Sequence, residues 1–149
     1  MKKLIIVLLC ALVLGGCSAK EQSTVCKLEK NGMTQQFTLN AKGDTITSTH
    51  EEMTFDLSQY ADNEETLAMA KDALKAQIDS QFAGKEGIAV NYVDNGESLL
   101  TTIDIDMEKT TIEDLVELGM VGKEENSKDA LSLKLSVEAI KEAGFTCGE

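Results

Sequence analysis

His50 is the only histidine in the chain, so any acid–base or imidazole-led metal chemistry has to be built around it. Such chemistry needs convergent partners within hydrogen-bond reach. Ser48 lies two residues away, on the same side of what reads as an extended, Thr-rich segment. Same-face strand neighbours are separated by roughly 7 Å, too far for a hydroxyl and its general base. His50 therefore reads as a solvated strand residue, and Ser–His hydrolase chemistry is rejected. The second candidate is the run Asp104, Asp106 and Glu108, alternating with Ile103, Ile105 and Met107. On a strand these three carboxylates share one face, and carboxylate oxygens suit hard cations such as Ca²⁺. Successive same-face residues, however, spread the oxygens along the strand instead of closing a cage. The first reading is a solvated acidic face, with a divalent-cation or small-ligand site on that face as the alternative.

Two further chemistries are weak. Paired carboxylates for glycoside hydrolysis need a cleft lined with aromatics, and the chain has two Tyr, four Phe and no Trp. Thioethers suit Cu(I), but of six methionines Met1 belongs to the leader and the other five are scattered, as in core packing. No catalytic set and no cofactor is implied.

The best-defined chemistry lies at the N-terminus. Met1-Lys2-Lys3 precedes an unbroken apolar run of eleven residues, Leu4 to Leu14, and then Gly15-Gly16-Cys17. A basic end, an apolar middle and small residues make a secretory signal. At about 1.5 Å per helical residue the run is too short for a bilayer core of about 30 Å. Leu14-Gly15-Gly16-Cys17 resembles the lipobox of bacterial lipoproteins. That resemblance implies a thioether diacylglycerol on Cys17, cleavage just before it, and an extracytoplasmic domain held to the membrane by lipid. In a Gram-positive envelope the anchor sits in the outer leaflet of the plasma membrane, the reading that an all-lysine basic set favours. In a Gram-negative one, the non-acidic Ser18 points to the outer membrane. The apolar tail Cys10 to Gly16 also has the character of a signal-derived peptide pheromone, a remote alternative because most such leaders share it.

Removing residues 1–16 takes away Lys2 and Lys3 and leaves 133 residues with a net charge of −14, against −12 for the precursor. That excess of carboxylate opposes nucleic-acid binding and adhesion to anionic surfaces. Cys10 leaves with the leader and Cys17 carries the lipid, so Cys26 and Cys147 remain. In an exported protein the simplest reading is one disulfide joining the first strand to the C-terminal tail. Free thiols or a redox pair are the alternatives, although no Cys-x-x-Cys spacing is present.

The elements that position these residues follow from pattern. Residues 17–24 read as a lipidated tether and 25–149 as a single domain. Strands are expected over 25–30, 33–39 and 45–57, with Asn31-Gly32 as a hairpin turn. A change of parity between Ile46 and Met53 predicts a bulge near Glu51-Glu52. Leu67, Ala70, Leu74, Ile78 and Phe82 define a helix over 64–83, capped by Asn63 or Asp62 and closed by Gly84. A hairpin over 88–93 and 99–107 follows, then a short helix over 111–118 and a charged loop over 122–130. An extended piece over 131–135 precedes a helix over 137–143 capped by Ser136. Hairpins without βαβ alternation give an α+β fold: about five antiparallel strands, one long helix, and one or two short C-terminal helices.

With these pieces in place the chain resembles the YehR-like family of small bacterial lipoproteins, whose function is uncharacterised. The likeness rests on the lipobox, the Lys42-Gly43-Asp44-Thr45-Ile46 turn into a Thr-rich strand, the acid-capped helix 64–83, and the ending Ser136 to Phe145. It implies the α+β domain and brings no functional residue beyond the lipidated cysteine. The expected function is thus a non-enzymatic, lipid-anchored binding or envelope-support domain. Its partner would be an envelope protein or a small ligand, and not a nucleic acid.

Overall fold

The computed structural model describes residues 19–122 and 131–148. The leader, Cys17, and all but the first residue of the charged loop at 122–130 lie outside the described residues. Six antiparallel strands form one sheet in the order β4-β5-β3-β2-β1-β6. They are β1 (Glu21–Lys30), β2 (Met33–Lys42), β3 (Thr45–Asp56), β4 (Ile88–Asp94), β5 (Ser98–Asp106) and β6 (Thr146–Gly148). The helices are α1 (Glu64–Phe82), α2 (Ile112–Glu117) and α3 (Leu133–Glu142). No helix among the described residues is long and apolar enough to cross a membrane.

Alternation of side chains along each strand sorts the sheet into two faces. Leu39, Ala41, Ile46, Ile103 and Ile105 are buried on one face, where Ile78 of α1, Leu115 of α2 and Leu133 of α3 complete the core. The helix side carries the whole of this core cluster. The other face presents Thr38, Ser48, His50, Glu52, Thr102 and Asp104.

The first hairpin forms as its sequence dictates. Asn31 and Gly32 both take positive φ, 53° and 73°, the combination a two-residue primed turn requires. α1 carries the expected apolar stripe, and the Asn63 side chain accepts from the Thr66 N–H at its start.

The structure departs from the sequence reading at four places. First, β1 begins at Glu21, because Glu21 to Thr24 pair with Lys42 to Leu39; half of the expected tether is sheet. Second, the bulge lies at Thr47 and not at Glu51-Glu52: Asn40 pairs with Ser48 but Ala41 with Ile46. The parity change was real, but polar residues on both sides hid where it occurs. Its consequence is that Glu51 shares the covered face with Thr49, Met53 and Phe55. Third, Leu131 to Leu135 is not a strand. Ser132 makes one bridge to Thr45, and its hydroxyl caps α3 by accepting from the Leu135 N–H, so the helix starts four residues earlier than read. Fourth, the C-terminal tail adds a sixth strand, because Val25 to Lys27 offer it an edge of β1.

A candidate ligand cavity under the helices

Glu51 is brought to the covered face by the bulge at Thr47, which resets the parity of β3 so that Thr49 and Glu51 follow Ile46 inward. Its cross-strand neighbours are Phe37 on β2 and Ile103 on β5. Above them the end of α1, the residues after α2 and the length of α3 leave a cavity of about 390 Å³. Its floor is Phe37, Leu39, Ile46, Thr49, Glu51, Ile103 and Ile105, and its walls include Phe82, Leu118, Met120, Leu131, Ser136 and Ile140. A second hollow of about 340 Å³ lies beneath α1 and also touches Glu51. Among the described residues, Glu51 is the one ionisable residue in the lining of either space. Its carboxylate accepts from Gln35 Nε2 at 2.5 Å. Burial pushes its pKa above the ordinary value, and the Gln35 hydrogen bond only partly opposes this. The site is an apolar volume with one hydrogen-bonding carboxyl in its floor.

The α3 wall is set in place by the β2–β3 turn. Asp44 accepts from the Ser132 hydroxyl at 2.6 Å and from the Lys134 N–H at 3.0 Å. Its backbone carbonyl accepts from the Leu133 N–H at 2.7 Å. The Ser132 and Lys134 hydrogen bonds lower the Asp44 pKa. At the far edge, Cys26 and Cys147 are paired across β1 and β6 and joined by a disulfide, with S–S 2.03 Å. The Phe145 ring packs on Phe37 with centroids 5.4 Å apart, so the staple also fixes a residue bordering the cavity floor.

The other sequence candidates lie on the opposite face and do not converge. Asp104 pairs with His50 across the strands, with His50 Nδ1 2.6 Å from its Oδ1. Glu52 stands 3.7 Å from His50 Nε2. The Asp104 hydrogen bond is the main cause of a raised His50 pKa. Asp106 is held by Lys109 at 2.6 Å and accepts from the Glu108 N–H at 3.0 Å, since β5 ends there and Glu108 lies in the turn beyond. The acidic triplet is therefore not one face of three carboxylates, and no group of three His, Cys, Asp or Glu side chains is arranged to hold a metal ion among the described residues. Ser48 accepts from Asn40 Nδ2 at 3.1 Å and is not aimed at His50.

Sequence reasoning missed Glu51 because it placed the bulge at that residue. The available signal was parity: Glu51 is in phase with Met53 and Phe55. It also missed Lys71, which interrupts the apolar stripe of α1 yet is buried, its ammonium 2.6 Å from Asp94.

The fold is thus an α+β domain: a one-sided antiparallel sheet, stapled at one edge and hollow beneath its helices. The chain belongs to the family described as "Protein of unknown function (DUF1307)", whose profile matches residues 22–146. It is 29% identical over 142 residues to the uncharacterized lipoprotein Lin0239 of Listeria innocua, covering 93% of this chain and 89% of that one. It is 24% identical over 142 residues to the uncharacterized lipoprotein Lmo0207 of Listeria monocytogenes, with the same coverage. Among solved structures, the fold is similar to that of the Escherichia coli YehR protein, with a TM-score of 0.64 at 18% identity over 87% of this chain and 91% of that one. A Streptococcus pneumoniae protein gives a TM-score of 0.54 at 18% identity, over 99% of this chain and 97% of that one. The expected YehR-like fold is thus observed.

Proposed function

We propose that this chain is a non-enzymatic, lipid-anchored extracytoplasmic domain that holds a small, mostly apolar ligand between its sheet and its helices. The observation that carries this reading is the cavity of about 390 Å³ with Glu51 in its floor. Ligand sites are typically volumes of about 300–1,000 Å³, lined by apolar side chains with a few placed polar groups. Anchoring through a diacylglycerol on Cys17 is supported by the leader sequence and by the lipoprotein names of both Listeria relatives. The non-enzymatic reading is supported by the site chemistry. Among the described residues Glu51 has no second ionisable group in the cavity to share acid and base roles, and His50 is engaged by carboxylates on the opposite face.

The test is titration of the full processed chain with N-phenyl-1-naphthylamine, a neutral apolar fluorophore. Saturable binding is expected, and it is lost when Thr49→Phe fills the floor or Ser136→Trp fills the wall. The reading is overturned if no saturable binding occurs, or if binding survives in folded forms of both variants.

A further inference from the structure

We propose that the occupant of this cavity is one acyl chain of a membrane phospholipid, with its phosphate held by lysines at the rim nearest the anchor. This rests on the lipid-anchored, ligand-holding reading above, and two observations take it further.

The first is where the chain leaves the domain. β1 starts at Glu21, which pairs with Lys42, the last residue of β2. Glu21 lies four residues after Cys17, a reach of at most about 14 Å. The cavity floor at Leu39 lies three residues along β2 from Lys42, about 10 Å. The anchor therefore draws toward the bilayer the end of the sheet that holds the cavity, and keeps the opposite end, with the Asn31-Gly32 turn, outward.

The second observation is charge. A chain of net charge −12, or −14 once residues 1–16 are removed, places three exposed lysines, Lys20, Lys42 and Lys134, around this end. The Lys20 carbonyl accepts from the Gly43 N–H at 2.9 Å, which sets Lys20 beside the β2–β3 turn. Lys134 follows the α3 cap that Asp44 secures. Among the described residues the acids at this end of the sheet include Glu21, Asp44 and Asp106; Asp44 is already engaged by the Ser132 hydroxyl and the Lys134 N–H, and Asp106 by Lys109. Leu131, which lines the cavity, accepts from the Ile46 N–H at 2.9 Å immediately next to this rim. Apolar volume and ammonium groups thus adjoin in the order in which a phospholipid presents its tail and phosphate.

The experiment reconstitutes the processed full-length chain in phosphatidylcholine vesicles containing phosphatidylglycerol with a diazirine in one tail. After irradiation, the crosslinked peptides are mapped. Label is expected on the peptides carrying Leu118 to Met120 and Leu131 to Ile140. It is lost in Thr49→Phe and in Ser136→Trp. It drops by about tenfold or more in the Lys42→Ala, Lys134→Ala double variant, as loss of two surface lysine–lipid attractions predicts, while binding of the neutral fluorophore is unchanged. Label confined to residues beside Cys17, spread evenly over the domain, or insensitive to both filling variants overturns the proposal. Labelling by a free diazirine fatty acid but not by the phospholipid also overturns it. If the fluorophore binds and the tail does not label, the phospholipid assignment falls and the cavity reading stands; if neither binds, both fall.

Discussion

His50 and Glu51 are neighbours in sequence and sit on opposite faces of the same sheet. On the open face, His50 is paired with Asp104 and flanked by Glu52. On the covered face, Glu51 sits over an apolar cavity with Gln35 as its hydrogen-bond partner. Both groups have raised pKa values, for different reasons. Charge-assisted hydrogen bonding favours the protonated imidazole, whereas desolvation disfavours the ionised carboxyl. A shift in the same direction thus marks pairing on one face and burial on the other. The burial side is where the cavity lies.

The contrast between the faces can be broken or sharpened by substitution. The largest effect is expected at the edge both faces share. Replacing Cys26 and Cys147 together by Ala opens a loop of 121 residues, for which chain entropy predicts a loss of about 4–5 kcal/mol in chemical denaturation. Next, Ile103→Ala on the covered face of β5 should cost about 2–5 kcal/mol. Thr102→Ala, one residue away on the open face, should stay within about 0.5 kcal/mol. Equal losses at the two positions would mean that the open face is also packed.

The smaller effects are in pH dependence. Because burial raises the Glu51 pKa above its ordinary 4.5, its contribution to stability is fully present below that pH. It is lost as pH rises through the folded value. Glu51→Gln removes this loss, so the variant should gain on the parent in melts run at increasing pH above 4.5 and match it below. The smallest change is expected at His50. Its raised pKa contributes stability below the ordinary 6.5 that is lost as pH rises through the folded value. Asp104→Asn should move the His50 titration, followed by proton NMR, back toward 6.5. An unmoved titration would mean that Asp104 does not set the shift.

Much of this was legible in the chain. The Asn31-Gly32 turn, the α1 stripe from Leu67 to Phe82, the β4–β5 hairpin and the pairing of Cys26 with Cys147 follow from local chemistry. They need no knowledge of distant neighbours: a primed turn needs positive φ, a helix needs an apolar stripe, and two export-compatible cysteines at the ends of one domain can close on each other. Helix α3 was misplaced because Leu131 to Leu135 contains enough apolar residues to read as a strand. Its helical start depends on a capping partner, Asp44, 88 residues from Ser132.

The sequence alone therefore determined the fold class and most element types, because these depend on interactions within a few residues or on composition. Tertiary structure decided which face Glu51 occupies, since a single extra residue at Thr47 reverses the side-chain alternation and only pairing with β2 reveals it. It decided that Asp104 and Asp106 find cations on the protein itself, His50 when protonated and Lys109. It also decided that α1, the residues after α2 and α3 stand apart over the floor of the sheet. A cavity is the space left by elements far apart in the chain, so no local pattern encodes it.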